Sequence, residues 1–249
     1  MNIKDEMARV LAKSNSPLDD PNFVQAFLSI AANPNDPDLT WYFKLEEVMR
    51  HLEEVQANEY VQQLRLSPGM AEMIEQRYVG PKYKLEDLKH DCAPGTLGYA
   101  YYHHMTENGI PPYDYTAFES PDDISYVKLR KMQTHDIWHV IAGYNTDTVG
   151  ELALQGFCHG QGPTVYQTLL MTALVLHFAT VQTKVLNLAI EALFEGWQRG
   201  RAAHPLWAAR WEDMWNRPLE EIRAEYNVLP ARVLLGDRFP ADKIISQFA

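Results

Sequence analysis

Residues 120–151 read SPDDISYVKLRKMQTHDIWHVIAGYNTDTVGE and decide how the centre of this chain is interpreted. The beginning of the stretch predicts a helix over residues 121–143. Ser120 is placed to cap its first turn, Pro121 suits the first helical position, and Gly143 suits the end of the helix. The same stretch carries two histidines, an aspartate and a glutamate, so its folding determines whether these side chains meet.

The four side chains converge if the helix is followed by a tight return. At 3.6 residues per turn, His135 and His139 lie one above the other, and we expect both imidazoles to point inward. Asp136 lies about 100° round the helix and could bind a metal, orient a histidine or serve as a base. Residues 145–148 predict a turn and an N-cap, which would bring Glu151 back towards the histidines.

Two imidazoles with one or two carboxylates form a set of metal ligands. Such a set suits a zinc ion with an open position, or a manganese, ferrous or magnesium ion if more oxygen ligands join. One alternative is a pair of buried histidines bonded to backbone or carboxylate groups. Another is a metal hydrolase, since HDxxH resembles the HExxH zinc helix with a shorter base. Asp136 and Glu151 favour the metal site over the structural pair.

Three basic residues on the same predicted helix are candidates for binding a substrate anion. Lys131 lies one turn before His135 and Lys128 nearly two turns before it, so both could hold a carboxylate or phosphate beside the metal. Arg130, on the same predicted helix, is the third candidate for binding the anion. The alternative is that the lysine side chains extend along a solvated helix start.

Two further histidine-containing pairs are weaker metal candidates. Neither His103-His104 nor His90-Asp91 has a second histidine at the i, i+4 spacing. We expect them to be surface or capping residues.

Composition limits the partners and the compartment. The 249 residues suffice for one large domain, and we expect residues 1–249 to form it. A formal net charge of −11 argues against nucleic acid. Cys92 and Cys158 are far apart and predict neither a disulfide framework nor a cysteine metal cluster. The first six residues are polar or charged for the most part and predict no signal or transit peptide, hence a cytoplasmic protein.

Helical periodicity predominates over two-residue alternation, which predicts an all-α fold. An N-terminal helical hairpin is expected, with one helix opening at Asp20-Pro21 and ending at Ala32 and the next beginning near Thr40. Residues 152–183 contain no charged side chain. Because glutamines and histidines interrupt every 20-residue apolar window, we expect a helix buried all round in a globular core rather than a membrane span.

Several segments together resemble one known family. They are Pro94-Gly95-Thr96-Leu97-Gly98, Tyr126-Val127, Arg130, His135-Asp136-x-x-His139, Gly143 and Gly150-Glu151. In this combination they are similar to the fourth protein of coenzyme Q (ubiquinone) biosynthesis, whose signature is HDxxH followed by eleven residues and Glu. The resemblance is specific over residues 94–151 and continues more weakly to about residue 228.

The resemblance implies an all-helical protein with a tunnel for a long polyprenyl lipid or prenyl phosphate between buried apolar helices. It also implies a peripheral contact with the membrane surface, a homodimer and association with other quinone-biosynthesis enzymes. The family's metal ligands carry over to His135, Asp136, His139 and Glu151. Two roles follow: a metal-dependent decarboxylase (lyase) that replaces the ring carboxylate of a polyprenyl hydroxybenzoate by hydroxyl, with Asp136 as a catalytic residue, or a non-catalytic scaffold for the pathway's enzymes.

The sequence also departs from the eukaryotic pattern of this family. Met132 stands where an arginine is expected, and Gln155 and Cys158 stand where a lysine and a glutamate are expected. These differences leave the motif intact and alter its surroundings. The expected absence of a transit peptide suggests a bacterial-type relative.

Overall fold

A computed structural model of the chain describes residues 17–34, 40–111, 118–162, 164–229 and 231. Regular structure in these residues is helical, and the described part contains no β-strand, only an isolated bridge between Thr96 and Pro218. The predicted all-α class is confirmed. Residues 1–16 and 232–249 lie outside the described ranges, so the predictions about the chain's start and about a single domain over 1–249 stay predictions.

The helices follow one another along the chain in this order: α1 Pro21–Ala32, α2 Thr40–Leu64, α3 Pro68–Gln76, α4 Leu85–Asp91, α5 Leu97–Glu107, α6 Asp123–Ala142, α7 Thr148–Gln161, α8 Val165–Thr180, α9 Leu186–Ala202 and α10 Leu219–Glu225. Short 3-10 turns lie at Pro17–Asp19, Thr183–Val185 and Trp211–Asp213.

Helix α6 runs through the main hydrophobic core. Tyr126 and Ile141, near its two ends, are buried in the same cluster as aromatic residues of the C-terminal segment such as Trp211. Trp138 packs edge-on against both Phe157 of α7 and Trp207. Aromatic contacts of this kind bury large apolar areas and fix the rotation of a helix about its axis. The face of α6 that carries the histidines is therefore set by packing along its whole length.

Helices α7 and α9 approach each other closely through glycines. A Cβ atom at Gly196 would overlap the carbonyl oxygen of Ala153, and one at Gly156 would overlap that of Leu193. Only a residue without a side chain lets the two backbones come so near. This contact holds α7, which begins beside the motif, against a rigid neighbour.

The N-terminal helical hairpin packs on α8 and forms a second core cluster. Phe23, Ile30 and Leu45 of the hairpin are buried with Leu170 and Ala173 of α8. The hairpin prediction is confirmed, with Asp20 accepting a hydrogen bond from the backbone of Asn22 as the N-cap of α1.

The uncharged stretch folds differently from the expectation of one helix buried all round. It forms two helices, α7 and α8, that meet at a break around Gly162, and α8 exposes Thr168, Thr172 and Thr180. That prediction is wrong because threonines on one face of α8 meet solvent. Among the described helices, none alone has the length and apolarity of a membrane span. Val165–Thr180 and Thr183–Ala202 meet both criteria as a pair bent by 109°.

Candidate metal centre

The helix that carries the motif begins two residues later than predicted. Asp122, rather than Ser120, is its N-cap: the Asp122 carboxylate accepts from the Ser125 backbone while the Ser125 hydroxyl accepts from the Asp122 backbone. This reciprocal pair satisfies two backbone donors at once and outcompetes a cap further out. The predicted end is confirmed, since Gly143 adopts the left-handed conformation with φ of 76°.

Two arginines hold the C-terminal end of α6. Arg199 of α9 donates to the Ala142 carbonyl at 2.7 Å, and Arg223 of α10 donates to the Val140 carbonyl at 2.8 Å and to the Ile141 carbonyl at 3.0 Å. These carbonyls have no partner within the helix, and cationic donors suit the negative end of its dipole. The last turn, which carries His139, is thereby fixed against two other helices.

A tight return after α6 brings the glutamate of the motif to the histidines. Asp147 caps α7 by accepting from the backbone of Val149 and Gly150, which leaves Glu151 in the first turn as predicted. A Cβ atom at Gly150 would overlap the carbonyl oxygen of Asn145, so the close return requires glycine here.

The structure brings the motif side chains together. The Glu151 Oε1 atom lies 3.0 Å from His139 Nε2, and Oε2 lies 3.5 Å from His135 Nε2. One ligand atom each of His135, Asp136 and His139 also lie within 4.8 Å of one another. His139 is fully buried, whereas the side chains of His135 and Glu151 keep 31% and 25% of their surface exposed. The cluster is therefore partly open to solvent, at an opening that we call the recess and define by His135, Asp136, His139 and Glu151.

The ring orientation of His139 suits a metal ligand. Its Nδ1 lies 3.2 Å from the Tyr144 carbonyl, which can only accept, so Nδ1 donates to it and Nε2 is the nitrogen that faces Glu151. Nε2 is buried and, among the described residues, has no hydrogen-bond partner, although a Glu151 oxygen lies 3.0 Å away. The two atoms are close but not aligned for a hydrogen bond. An imidazole nitrogen and a carboxylate oxygen this close together can coordinate the same ion, so the residues fit a divalent metal.

Electrostatic interactions among the motif side chains favour the binding of a cation. Burial among surrounding atoms lowers the pKa of His135, but the carboxylates of Glu151 and Asp136 outweigh burial and raise it above its usual value. For Glu151, burial raises the pKa, and the imidazoles of His135 and His139 more than reverse this, so the pKa lies well below its usual range. Glu151 is a carboxylate at neutral pH, and a metal competes with a proton for His135.

The three candidate anion-binding residues end in different places. Lys131 lies at the recess, with Nζ 5.7 Å from the Tyr166 ring centroid. When the Gln167 side-chain amide is oriented so that its oxygen faces donors and its nitrogen faces acceptors, Lys131 Nζ lies 3.1 Å from that oxygen. Lys128 is half-buried on α6. Arg130 points into the core and pairs with Glu212 at 2.7 Å, so the structure does not bring its guanidinium to the histidines.

Sequence reasoning missed a third histidine beside the motif. His104 of α5 was expected at the surface, but its ring lies nearly parallel to that of His139, with centroids 5.4 Å apart and planes 25° apart. The expectation is wrong because α5 and α6 pack together, a contact that spacing along one helix cannot show. Its neighbour His103 does lie at the surface, where its Nδ1 is 3.1 Å from Oε1 of Glu107. The single signal in the sequence was the pair of adjacent histidines, His103-His104.

One described cleft lies apart from this recess. It has a volume of about 310 Å³, is lined by residues 181–185 and includes none of the motif residues. We assign it no role in metal binding.

Comparisons with known proteins agree with the motif. Residues 55–232 match the family model described as Coenzyme Q (ubiquinone) biosynthesis protein Coq4. The mitochondrial ubiquinone biosynthesis protein COQ4 homolog of Bos taurus is 27% identical over 183 residues, 69% of this chain and 66% of that protein. The Danio rerio homolog, also named as mitochondrial, is 31% identical over 139 residues, 54% of this chain and 49% of that one. The chain thus spans about half to two thirds of the length of these curated relatives.

A solved structure shows the same fold. The crystal structure of a Nostoc punctiforme protein, provisionally named as a ubiquinone biosynthesis protein, superposes with a TM-score of 0.72 at 26% identity. The match covers 83% of this chain and 97% of the Nostoc chain.

Proposed function

Because the chain belongs to the family of the Coenzyme Q (ubiquinone) biosynthesis protein Coq4, we propose that it serves prenylquinone biosynthesis as a divalent-metal protein. His135, His139 and Glu151 are the ligands in this proposal, and Asp136 is a fourth ligand or a base. The observation that carries it is the buried Nε2 of His139, which lies 3.0 Å from a carboxylate oxygen without a hydrogen bond. Two imidazoles with carboxylates make zinc the expected metal, with manganese, iron or magnesium as alternatives.

The proposed substrate is a polyprenyl hydroxybenzoate with its ring in the recess. Lys131 lies one turn of α6 from His135, where its ammonium group can neutralise the ring carboxylate. Buried Gln155 follows Glu151 by one turn of α7, and its Oε1 has no hydrogen-bond partner among the described residues, so it can accept from a ring hydroxyl. The polyprenyl chain would follow the uncharged stretch that forms α7 and α8.

The proposed reaction is oxidative decarboxylation. The bond between the ring and its carboxyl carbon breaks and carbon dioxide leaves. The ring takes a hydroxyl oxygen from dioxygen, and two electrons from a reductant with two protons convert the other oxygen atom to water. A bound divalent ion supplies Lewis-acid polarisation of the carboxylate or ring oxygens. Within this scheme Lys131 orients the carboxylate, His139 stays fixed through Tyr144, and Asp136 moves a proton at the ring hydroxyl.

Turnover separates an enzyme from a scaffold. Purified protein would be examined by native mass spectrometry, with metal and lipid analysis after denaturation, and then incubated with a carboxylated polyprenyl phenol, dioxygen and a reductant. We expect one metal per chain, an isoprenoid and release of carbon dioxide, which Asp136→Asn abolishes while keeping the metal. Metal and lipid without turnover would support the scaffold role, and a metal-free protein that takes up no zinc would contradict the proposal.

Peripheral contact with a membrane surface belongs to the same proposal, since a polyprenyl substrate resides in membranes. Leu28 of α1 and Phe43 of α2 are 51% and 52% exposed on the N-terminal hairpin and support it. Flotation with lipid vesicles would test it: the protein should float, and Leu28→Ser with Phe43→Ser should reduce the floated fraction severalfold. The homodimer and contacts with other quinone-biosynthesis enzymes stay predictions.

A further inference from the structure

His104 places a polar atom beside the motif that the motif does not include. Its Nε2 atom is buried and has no hydrogen-bond partner within the described part of the chain. The ring is nearly parallel to that of His139, one of the proposed metal ligands. Because an unpaired buried nitrogen destabilises a fold, packing alone would favour phenylalanine or leucine at this position. We therefore expect the nitrogen to form a hydrogen bond with a ligand that enters the recess.

The ring nitrogens of His104 define what that partner can be. An imidazole N–H donates a hydrogen bond to an oxygen acceptor, so the unpaired Nε2 suits a ligand that carries oxygen atoms. The ring contacts that of His139, and Asp136, His135 and Glu151 all act on it electrostatically. His104 thus shares the recess with the proposed ligands.

The metal ligands supply no hydrogen-bond donor to an anion bound at the ion. When histidine and carboxylate groups hold a cation, they do so with lone pairs and offer no proton to an oxygen atom that binds the same ion. Lys131 can donate from further along α6. His104 on α5 can donate from the side of His139.

We propose that His104 is a ligand-binding residue of this site, whose Nε2–H donates a hydrogen bond to an oxyanion held at the divalent ion. This inference rests on the proposed metal function. It adds a contact from a different helix to the motif, and it assigns the oxyanion, a carboxylate or phosphate, a fixed orientation between α5 and α6.

The test uses the whole protein loaded with cobalt(II), whose visible absorption reports both metal and anion binding. Wild type, His104→Phe and the control His103→Phe would be titrated with cobalt(II), then separately with inorganic phosphate and 4-hydroxybenzoate. In His104→Phe we expect cobalt(II) affinity within about threefold of wild type and affinity for at least one anion lower by about tenfold, the effect of one hydrogen bond to a charged acceptor. His103→Phe should match wild type in every titration.

Three results would overturn the inference. One is unchanged affinity for both anions in His104→Phe. Another is a loss of cobalt(II) affinity beyond about a hundredfold with an altered band shape, which would make His104 a direct ligand. Failure of wild type to bind cobalt(II) at all would refute the proposed metal function and this inference with it, so the two failures are distinguishable. If His104→Phe does not fold by circular dichroism, His104→Leu replaces it under the same criteria.

Discussion

Helix α6 carries two clusters of ionisable groups that differ in one respect, whether the protein itself supplies the partners. In its first half, Arg130 is buried and its terminal nitrogens contact the Glu212 carboxylate, Gln133 and the Ala209 carbonyl. In its second half, the His139 nitrogen lies beside a carboxylate without a hydrogen bond, and His135 and Glu151 remain partly exposed. In the first cluster the two charges are buried and paired with each other, whereas the second cluster is open and incomplete.

The difference separates a structural from a functional use of charge. Arg130 and Glu212 come from segments 82 residues apart, so their pairing ties α6 to the Trp211–Asp213 turn. Polar groups that remain unpaired in an accessible recess lower the stability of the fold. They are retained where a ligand supplies the missing bonding partner. If this contrast is right, changes in the first cluster should alter folding, and changes in the second should alter binding.

The largest effect is expected from Glu212→Gln. The variant keeps the shape of the side chain but leaves the Arg130 charge without its buried partner, so the free energy of unfolding should fall by about 3 to 5 kcal/mol. Denaturant unfolding measures it. As a control, Glu72→Gln removes the exposed partner of Arg210 and should cost about 1 kcal/mol or less. Equal losses in both variants would remove the distinction between the closed cluster and the surface.

Metal should stabilise the protein through the second cluster alone. At a free zinc concentration a hundredfold above the dissociation constant, the free energy of unfolding should rise by about 2.7 kcal/mol. His139→Ala should abolish this rise, whereas His90→Ala, at an exposed position outside the cluster, should keep it. Unfolding with and without zinc gives the comparison, and a rise preserved in His139→Ala would place the metal elsewhere.

Acid should weaken the metal-free protein partly through His104. Its folded pKa of about 4 lies below its unfolded value of 6.5, so the unfolded chain binds the proton more tightly. The free energy of unfolding therefore falls as pH drops through that window, and the share of His104 is about 2 kcal/mol at pH 5. His104→Phe should lose that much less than wild type between pH 7 and pH 5, while His103→Phe should follow wild type. Equal losses of unfolding free energy in all three proteins would show that the pKa of His104 is not lowered on folding.

The smallest stability effect is expected from Lys131→Met. Lys131 lies at the recess and contacts Gln167, so its loss should change the free energy of unfolding by about 1 kcal/mol or less. Phosphate affinity of the cobalt-loaded protein should nevertheless fall severalfold, because an ammonium group is removed from the oxyanion's surroundings. Lys184→Met, an exposed change in the cleft lined by residues 181–185, is the control and should leave that affinity unchanged.

The sequence predicted the local parts of this arrangement. The stop at Gly143 and the return that places Glu151 in the first turn of α7 follow from residues next to one another, and both are confirmed. The start of α6 was misplaced because two capping candidates, Ser120 and Asp122, lie within three residues, and reciprocal bonding with Ser125 decides between them.

Long-range contacts explain the errors. The partner of Arg130 is a glutamate 82 residues away, and His104 meets His139 across two packed helices. Neither of these contacts leaves a periodic signal in the chain.

Anomalous diffraction from crystals soaked in zinc tests the central claim most directly. The account predicts one strong anomalous peak about 2.0 to 2.2 Å from the Nε2 atoms of His135 and His139 and from a carboxylate oxygen of Glu151. Absence of a peak among these three side chains at a saturating zinc concentration would contradict it.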